Sequence, residues 1–336
     1  MELQAAAIRE RMSKFAGRLY LEIGGKFLHD PHAARVLPGF DPESKKKIFG
    51  LLAADADIIF CMNYKDIIGN RQLTNEDVDY VNSCKNMVQR IHAVLGIKPS
   101  IAVNMIPREE KNSSVMIRLM SAFAGYDIFR RYMMDGYPED TNVVLSKNGY
   151  GKDEYIPVSK KLVIVTGAAS NSGKMSTCLG QIFHEYTHGV DSGYAKYETF
   201  PIRNLPLEHP INLAYEAATI DIGDYNMYDP FHEKAYGIKS VNYNRDVEAF
   251  DIVKKLADGF LPAKNFTRSY QSPTDMGINM AGSAIISDTN CCTASLEEIL
   301  RRKDRYAEIV ARGEGDAKWL KKADELYKKA AEYKVE

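Results

Sequence analysis

Cysteine, net charge and long apolar runs are all scarce in this chain, and each scarcity excludes something. Five cysteines stand among 336 residues, and no two of them have a CxxC spacing. Cys61, Cys84 and Cys178 are isolated, while Cys291 and Cys292 are adjacent, a poor geometry for a disulfide and no metal template. Reduced thiols, and with them a cytoplasmic location, are the expectation. Lys and Arg number 44 against 45 Asp and Glu. That balance gives no electrostatic reason to expect nucleic acid or an anionic membrane as partner. No stretch is long and apolar enough to span a bilayer. The first helix, with Arg9, Glu10, Arg11 and Lys14 among Ala6, Ile8, Met12 and Phe15, is amphipathic and lacks the apolar core of a signal peptide. Internal repeats and low-complexity tracts are absent as well.

What is present is an ordinary globular composition, 45% apolar and 26% charged. The length makes two domains the default. Helical patterns alternate with short apolar strands: Arg18–Ile23, Asp57–Met62, Lys98–Met105 and Asp127–Tyr132. Helices are expected from Ser44 to Leu52, from Asn75 to Leu95 behind a Thr74 cap, and from Ser114 to Gly125. His29–Pro42 reads as a structured loop and Asn142–Ser146 as a last short strand. This is the pattern of βαβ units and mostly parallel sheet. The expectation is an α/β protein with two Rossmann-like three-layer domains, residues 1–155 and a phosphate-loop-like 156–290, followed by a helical segment over 291–336.

The run from Lys161 to Thr177 carries the most chemistry. A buried strand ends at Gly167, small residues Ala168, Ala169, Ser170, Asn171, Ser172 and Gly173 make a turn, and Lys174 opens a helix. Phosphate-binding loops are built this way, with backbone N–H groups and a helix N-terminus facing an anion and a Lys adding charge. The strict pattern G-x-x-x-x-G-K-[ST] is broken twice: five residues separate Gly167 from Gly173, and Met175 stands where a hydroxyl belongs. Ser176 or Thr177 would then reach magnesium from a wider loop. The plain alternative is a Gly-containing turn with a solvent-facing Lys.

The same helix ends in His184-Glu185-Tyr186-Thr187-His188, the spacing of a zinc peptidase, with Glu216 a conceivable third ligand. Those histidines fall at the far end of the helix, away from the strand tips where α/β sheets place ligands. A His there has a simpler role beside the helix dipole. Zinc is therefore not expected.

Several separated runs bring a resemblance into view. Arg35-Val36-Leu37-Pro38-Gly39-Phe40, Gly149-Tyr150-Gly151-Lys152, Gly173-Lys174-Met175, Tyr194–Pro201, Asn204-Leu205-Pro206-Leu207 and His209–Thr219 are six of them. Asp229-Pro230-Phe231-His232, Val241–Asp246 and Ser272–Gly277 complete the set. Together they resemble the DUF1846 (UPF0371) family in register over roughly residues 8 to 310. The family carries no assigned reaction and its members run longer at the C-terminus, so the resemblance supplies a neighbourhood and not a chemistry. Basic residues in the family where this chain has Thr187-His188 make the HExxH spacing incidental.

The layout is also similar to ATP-dependent synthetases of the dethiobiotin and CTP synthase kind. That similarity implies ATP and Mg²⁺ at residues 166–177 and a second Lys on the next strand, here Lys196. Glu216 is then a candidate to orient a nucleophile, Asp221 and Asp229 join Ser176 and Thr177 as candidate magnesium ligands, and Tyr215, Tyr243 and Arg245 would line the substrate side. The expected function is an ATP-dependent ligase-like enzyme acting on a small-molecule substrate. The alternatives are a zinc peptidase and a nucleotide-binding regulatory or assembly module, and self-association into a homo-oligomer stays open.

Overall fold

The computed structural model describes residues 1–73 and 78–334. Seven strands form one parallel sheet: β1 Leu19–Ile23, β2 Ala56–Asn63, β3 Ser100–Ile106, β4 Ile128–Tyr132, β5 Leu162–Gly167, β6 Gly193–Tyr197 and, after an antiparallel pair β7 Asn226–Tyr228 and β8 Val241–Tyr243, β9 Gly277–Ile278. Their order is β4-β3-β2-β5-β1-β6-β9. A parallel sheet is covered on both faces, so its strands read as nearly unbroken apolar runs. Every residue of β1 and five of the six in β5 are buried.

Residue 155 falls between strands that share this sheet. Leu162 at the start of β5 pairs with Leu19 on one side and Ala56 on the other, so the two halves of the chain are hydrogen-bonded into a single layer. The C-terminal helical segment is present as expected, in two pieces, Asp288–Ala311 and Ala317–Glu332, broken at the left-handed Gly313.

Three cores hold the chain. On one sheet face, helices Glu2–Ser13, Ser44–Gly50, Tyr80–Leu95 and Ser114–Ala122 bring Ile8, Phe49, Val88 and Leu119 against Leu21, Ile58, Phe60 and Ile164. On the other, helices Lys174–Thr187 and Asn244–Phe260 bring Leu179, Ile182, Phe250 and Leu256 against Tyr20, Ile59, Val163 and Val165. In the third, Cys291, Ile299 and Leu326 of the C-terminal helices meet Ala33, Val36, Phe200, Ile211 and Ala214. All five cysteines are buried and free. No helix among the described residues is long and apolar enough to cross a membrane.

Local differences from the expected elements have simple causes. A helix, Pro31–Val36, stands inside the expected loop, capped by Asp30 with Pro at its first position, where a missing N–H costs nothing. Asn142–Ser146 belongs to a helical turn, Thr141–Val144, capped by Asp140. Ser44 is buried and does not cap its helix. The helix before Leu95 is capped by Asp79, and the Thr74 cap lies outside the described residues.

Chain order sets the topology. The helices after β1, β2 and β3 cover the first face, those after β5 and β6 the second, and β5 lies between β1 and β2. The tip of β5 is thus a switch point, where open α/β sheets bind ligands beyond the strand C-termini.

Candidate functional site

At that switch point Gly167 ends β5 and the loop 168–173 leads into the helix Lys174–Thr187. The neighbouring strand tips hold the loop by its carbonyls. Asn63 at the end of β2 donates to the Asn171 carbonyl at 2.9 Å, Arg71 to that of Ser170 at 3.1 Å, and Asn104 of β3 to that of Ser172 at 2.9 Å. Asn104 is aimed there by a register shift between Val103 and Ile106, with Met105 at φ +62°. Such bulges re-aim side chains beside functional sites. Gly173 at φ +86° is the helix N-cap and brings no capping side chain, leaving the first N–H groups of the helix for an external anion. A Cβ at Gly167 would sit 2.2 Å from the Ser172 hydroxyl, so only Gly permits that approach.

Lys174 curls back over this loop, its Nζ 3.3 Å from the Ala169 carbonyl. Among the described residues no carboxylate pairs with it. The hydroxyls behave differently. Thr177 is fully buried and donates to Gly173 O at 2.9 Å and Asn104 Oδ1 at 3.1 Å, and Ser176 turns its hydroxyl toward the phenols of Tyr137 and Tyr150. Met175 packs beside the second core and Ser172 is buried. The Ala168 N–H is taken by the Cys61 carbonyl at 3.2 Å, so the cradle is the backbone of 169–174 with Lys174.

The acids expected on magnesium are elsewhere. Asp229 is buried as a helix cap, accepting from the N–H groups of Phe231, His232 and Thr274. Asp221 lies under Tyr306 of the C-terminal helices at 3.4 Å. Glu216 accepts from Asn226 N at 3.1 Å and pairs with Lys322 at 2.8 Å, so it joins the helices of the third core. These oxygens do not converge, and the protein supplies no assembled magnesium site from them. Arg245 pairs with Asp224 and donates to Ile222 O at 3.0 Å, fastening a turn.

A second constellation, beside the loop, gathers at the tips of β1 and β6. Glu22 and Lys196 are register partners on these adjacent strands. Lys196 is bonded to Tyr243, to Asp246 and, at 2.9 Å, to Glu198, while Tyr194 donates to Glu22 at 2.7 Å. Tyr243 also donates to Glu198. Burial would depress the Lys196 ammonium, but Asp246, Glu198 and Glu22 outweigh it and hold Lys196 charged. Burial pushes the Glu198 carboxyl up to about 7 against the pull of Lys196. Tyr215 stacks on Phe200 with ring centroids 5.7 Å apart, and burial together with the charge of Glu198 pushes its phenol up. Glu22 is also the register partner of Val165 on β5, two residues before Gly167, so the two constellations adjoin.

Lys196 and Tyr243, expected as a phosphate clamp and a substrate-side residue, are in contact here, and Glu22, Glu198, Asp246 and the clamp asparagines join without a corresponding expectation from the sequence. A carboxylate inside an apolar strand such as β1 was the available signal, because Glu is almost never buried unpaired.

The HExxH residues do not gather. Glu185 turns inward to an ion pair with Arg18 and accepts from Tyr20 at 3.0 Å and Tyr155 at 2.9 Å. His188 contacts the His184 carbonyl at 2.7 Å through Nδ1. Neither histidine belongs to a group of three ligands among the described residues.

Comparison with known proteins fits this frame. The model of "Domain of unknown function DUF1846, N-terminal" matches residues 1–331. The chain belongs to the DUF1846 family. The UPF0371 protein DIP2346 of Corynebacterium diphtheriae is 41% identical over 302 residues, 90% of this chain and 60% of the relative. A UPF0371 protein of Streptococcus equi subsp. zooepidemicus is 40% identical over 302 residues, 90% and 59% of the two lengths. This DUF1846 chain thus spans about 60% of the length of the curated relatives it matches.

Proposed function

We propose that the loop 167–174 binds the polyphosphate of ATP and that the protein is an ATP-dependent ligase-like enzyme activating a small-molecule substrate by phosphoryl transfer. The observation that carries this reading is Lys174, a cation without a carboxylate partner among the described residues, folded over a loop whose carbonyls are tied away at a switch point. Backbone N–H groups at a helix N-terminus with one ammonium beside them suit an anion of high charge density. Magnesium, in this reading, arrives on the nucleotide and keeps mostly water ligands, as it does in phosphate sites generally. No step is assigned to it.

Lys196 is not the second phosphate clamp that the synthetase similarity implies, because its three N–H bonds are already committed to Tyr243, Asp246 and Glu198. It organises the neighbouring acids instead. The step that fits is attack by a substrate carboxylate oxygen on the γ-phosphorus. The bond from that phosphorus to the bridging oxygen breaks, ADP leaves, and an acyl phosphate remains. The test is ADP formation from ATP across a panel of carboxylic acids. Stimulation by one acid in wild type and its loss in Lys174→Ala support the reading. Equal rates in the two proteins overturn it.

A further inference from the structure

Three carboxylates, Glu22, Glu198 and Asp246, surround the one ammonium of Lys196. Arg203 adds a second positive charge that acts on Asp246 and Glu198, while its Nη1 donates to the Thr274 carbonyl. Asp224 on the outer side is neutralised by Arg245. With Glu198 ionised, the three carboxylates exceed the two cations Lys196 and Arg203 by one negative charge. It also has two idle oxygens: Glu198 Oε2 and Asp246 Oδ2 are both buried and neither has a hydrogen-bond partner. A buried acceptor left unpaired costs about 1–3 kcal/mol, more when charged, and native structures leave few of them. Lys196, Glu198 and Tyr243 keep 8%, 6% and 6% of their surface, and the two idle oxygens lie just beneath it.

The missing donor can be typed by its chemistry. A hydroxyl offers one O–H and no charge. A primary ammonium offers three N–H groups and a positive charge, which matches two idle acceptors and a surplus of anions. The ring of Tyr243, already 4.8 Å from the Lys196 ammonium, makes this a setting in which cations are stable.

We propose that the cluster at the tips of β1 and β6 binds the primary amine of a second substrate through Glu198 Oε2 and Asp246 Oδ2, and that Glu198 is its base. One N–H bond breaks, an O–H bond forms at Glu198 Oε2, and the freed lone pair stays on nitrogen. A carboxyl raised to about 7 by burial accepts that proton more readily than an ordinary Glu. The binding half stands without nucleotide. The reaction half rests on the phosphoryl-transfer reading: the amine attacks the acyl carbon, the carbon–oxygen bond to phosphate breaks, and phosphate leaves carrying the second N–H proton as the amide forms.

Titration of the protein with ¹³C-methylamine, followed by NMR without nucleotide, tests the binding half alone. A saturable shift is expected in wild type, at least ten-fold weaker in Glu198→Gln and in Asp246→Asn, partly restored in Glu198→Asp, and within two-fold of wild type in Lys174→Ala. Affinity should fall about ten-fold per pH unit below 7 as Glu198 protonates, a dependence that a merely structural carboxylate would not give. Absence of a saturable shift in wild type, or equal affinity in Glu198→Gln, overturns the proposal. Failure of the nucleotide reading would show separately, as wild type that does not bind ATP, and would leave the amine titration readable.

Discussion

Asn104 holds Ser172 and Thr177 at once: its Nδ2 donates to the Ser172 carbonyl at 2.9 Å while its Oδ1 accepts from the Thr177 hydroxyl at 3.1 Å. One side chain thus fixes both the loop and the first turn of the helix that follows. In Asn104→Ala the buried Ser172 carbonyl is left unpaired while the Thr177 hydroxyl keeps its bond to Gly173 O, which should cost about 1–3 kcal/mol in urea unfolding. ATP affinity should fall at least ten-fold, read by calorimetry at a temperature where the variant is folded. Unchanged affinity would mean that the loop needs no clamp.

Glu198 gives a stability signature of unusual sign. Its carboxyl is raised to about 7 in the folded protein, against about 4.5 in an unfolded chain, so the native state binds the proton more tightly. That contribution is fully present below the unfolded value and is lost as pH rises through 7. Glu198→Gln removes the charging cost, so its Tm relative to wild type should be higher at pH 8.5 than at pH 5. A constant difference across that range would contradict the assignment.

Glu298 should behave in the opposite sense. It is buried, and burial alone would raise its carboxyl, but hydrogen bonds from Arg301, His32 and Arg302 hold it well below the usual carboxylate range. Arg35 lies 3.7 Å away. Its contribution is present above about pH 4.5 and fades as pH falls through the depressed value. Glu298→Ala leaves several cations facing one another and should cost about 3–5 kcal/mol at pH 7, measured by urea unfolding. The gap to wild type should shrink in strong acid.

Glu185 and His188 separate structure from metal chemistry within the HExxH run. Glu185→Ala breaks a buried ion pair and two phenol hydrogen bonds and should cost about 3 kcal/mol or more. His188→Ala, at the exposed helix end, should stay within about 0.5 kcal/mol. Elemental analysis of wild type should find no stoichiometric zinc. Zinc that is lost in His188→Ala would revive the peptidase reading.

How much of this was legible beforehand follows the range of the interactions involved. The strand Leu162–Gly167, its small-residue turn and the helix from Lys174 to Thr187 are local, set by apolar runs, Gly and helix propensity, and they stand where the sequence placed them. The insertion of β5 between β1 and β2 was not legible, because it depends on Leu162 pairing with Leu19 and Ala56 across more than a hundred residues. The inward turn of Thr177 depends on a bulge at Asn104 in another strand. Glu22, Glu198 and Asp246 arrive from β1, the end of β6 and the helix Asn244–Phe260, so no window of sequence holds them together. Pro31 reads as a loop marker in isolation, and only the Asp30 side chain accepting from Ala33 N makes it a helix start.

The central claim is that Lys174 and the backbone it covers bind a nucleotide triphosphate. Isothermal titration of the purified protein with Mg-ATP, in wild type and Lys174→Ala, tests it most directly. Saturable one-to-one binding in wild type, weakened at least a hundred-fold in Lys174→Ala with Tm unchanged within 2 °C, is the predicted result. No binding in wild type, or equal binding in both proteins, would contradict it.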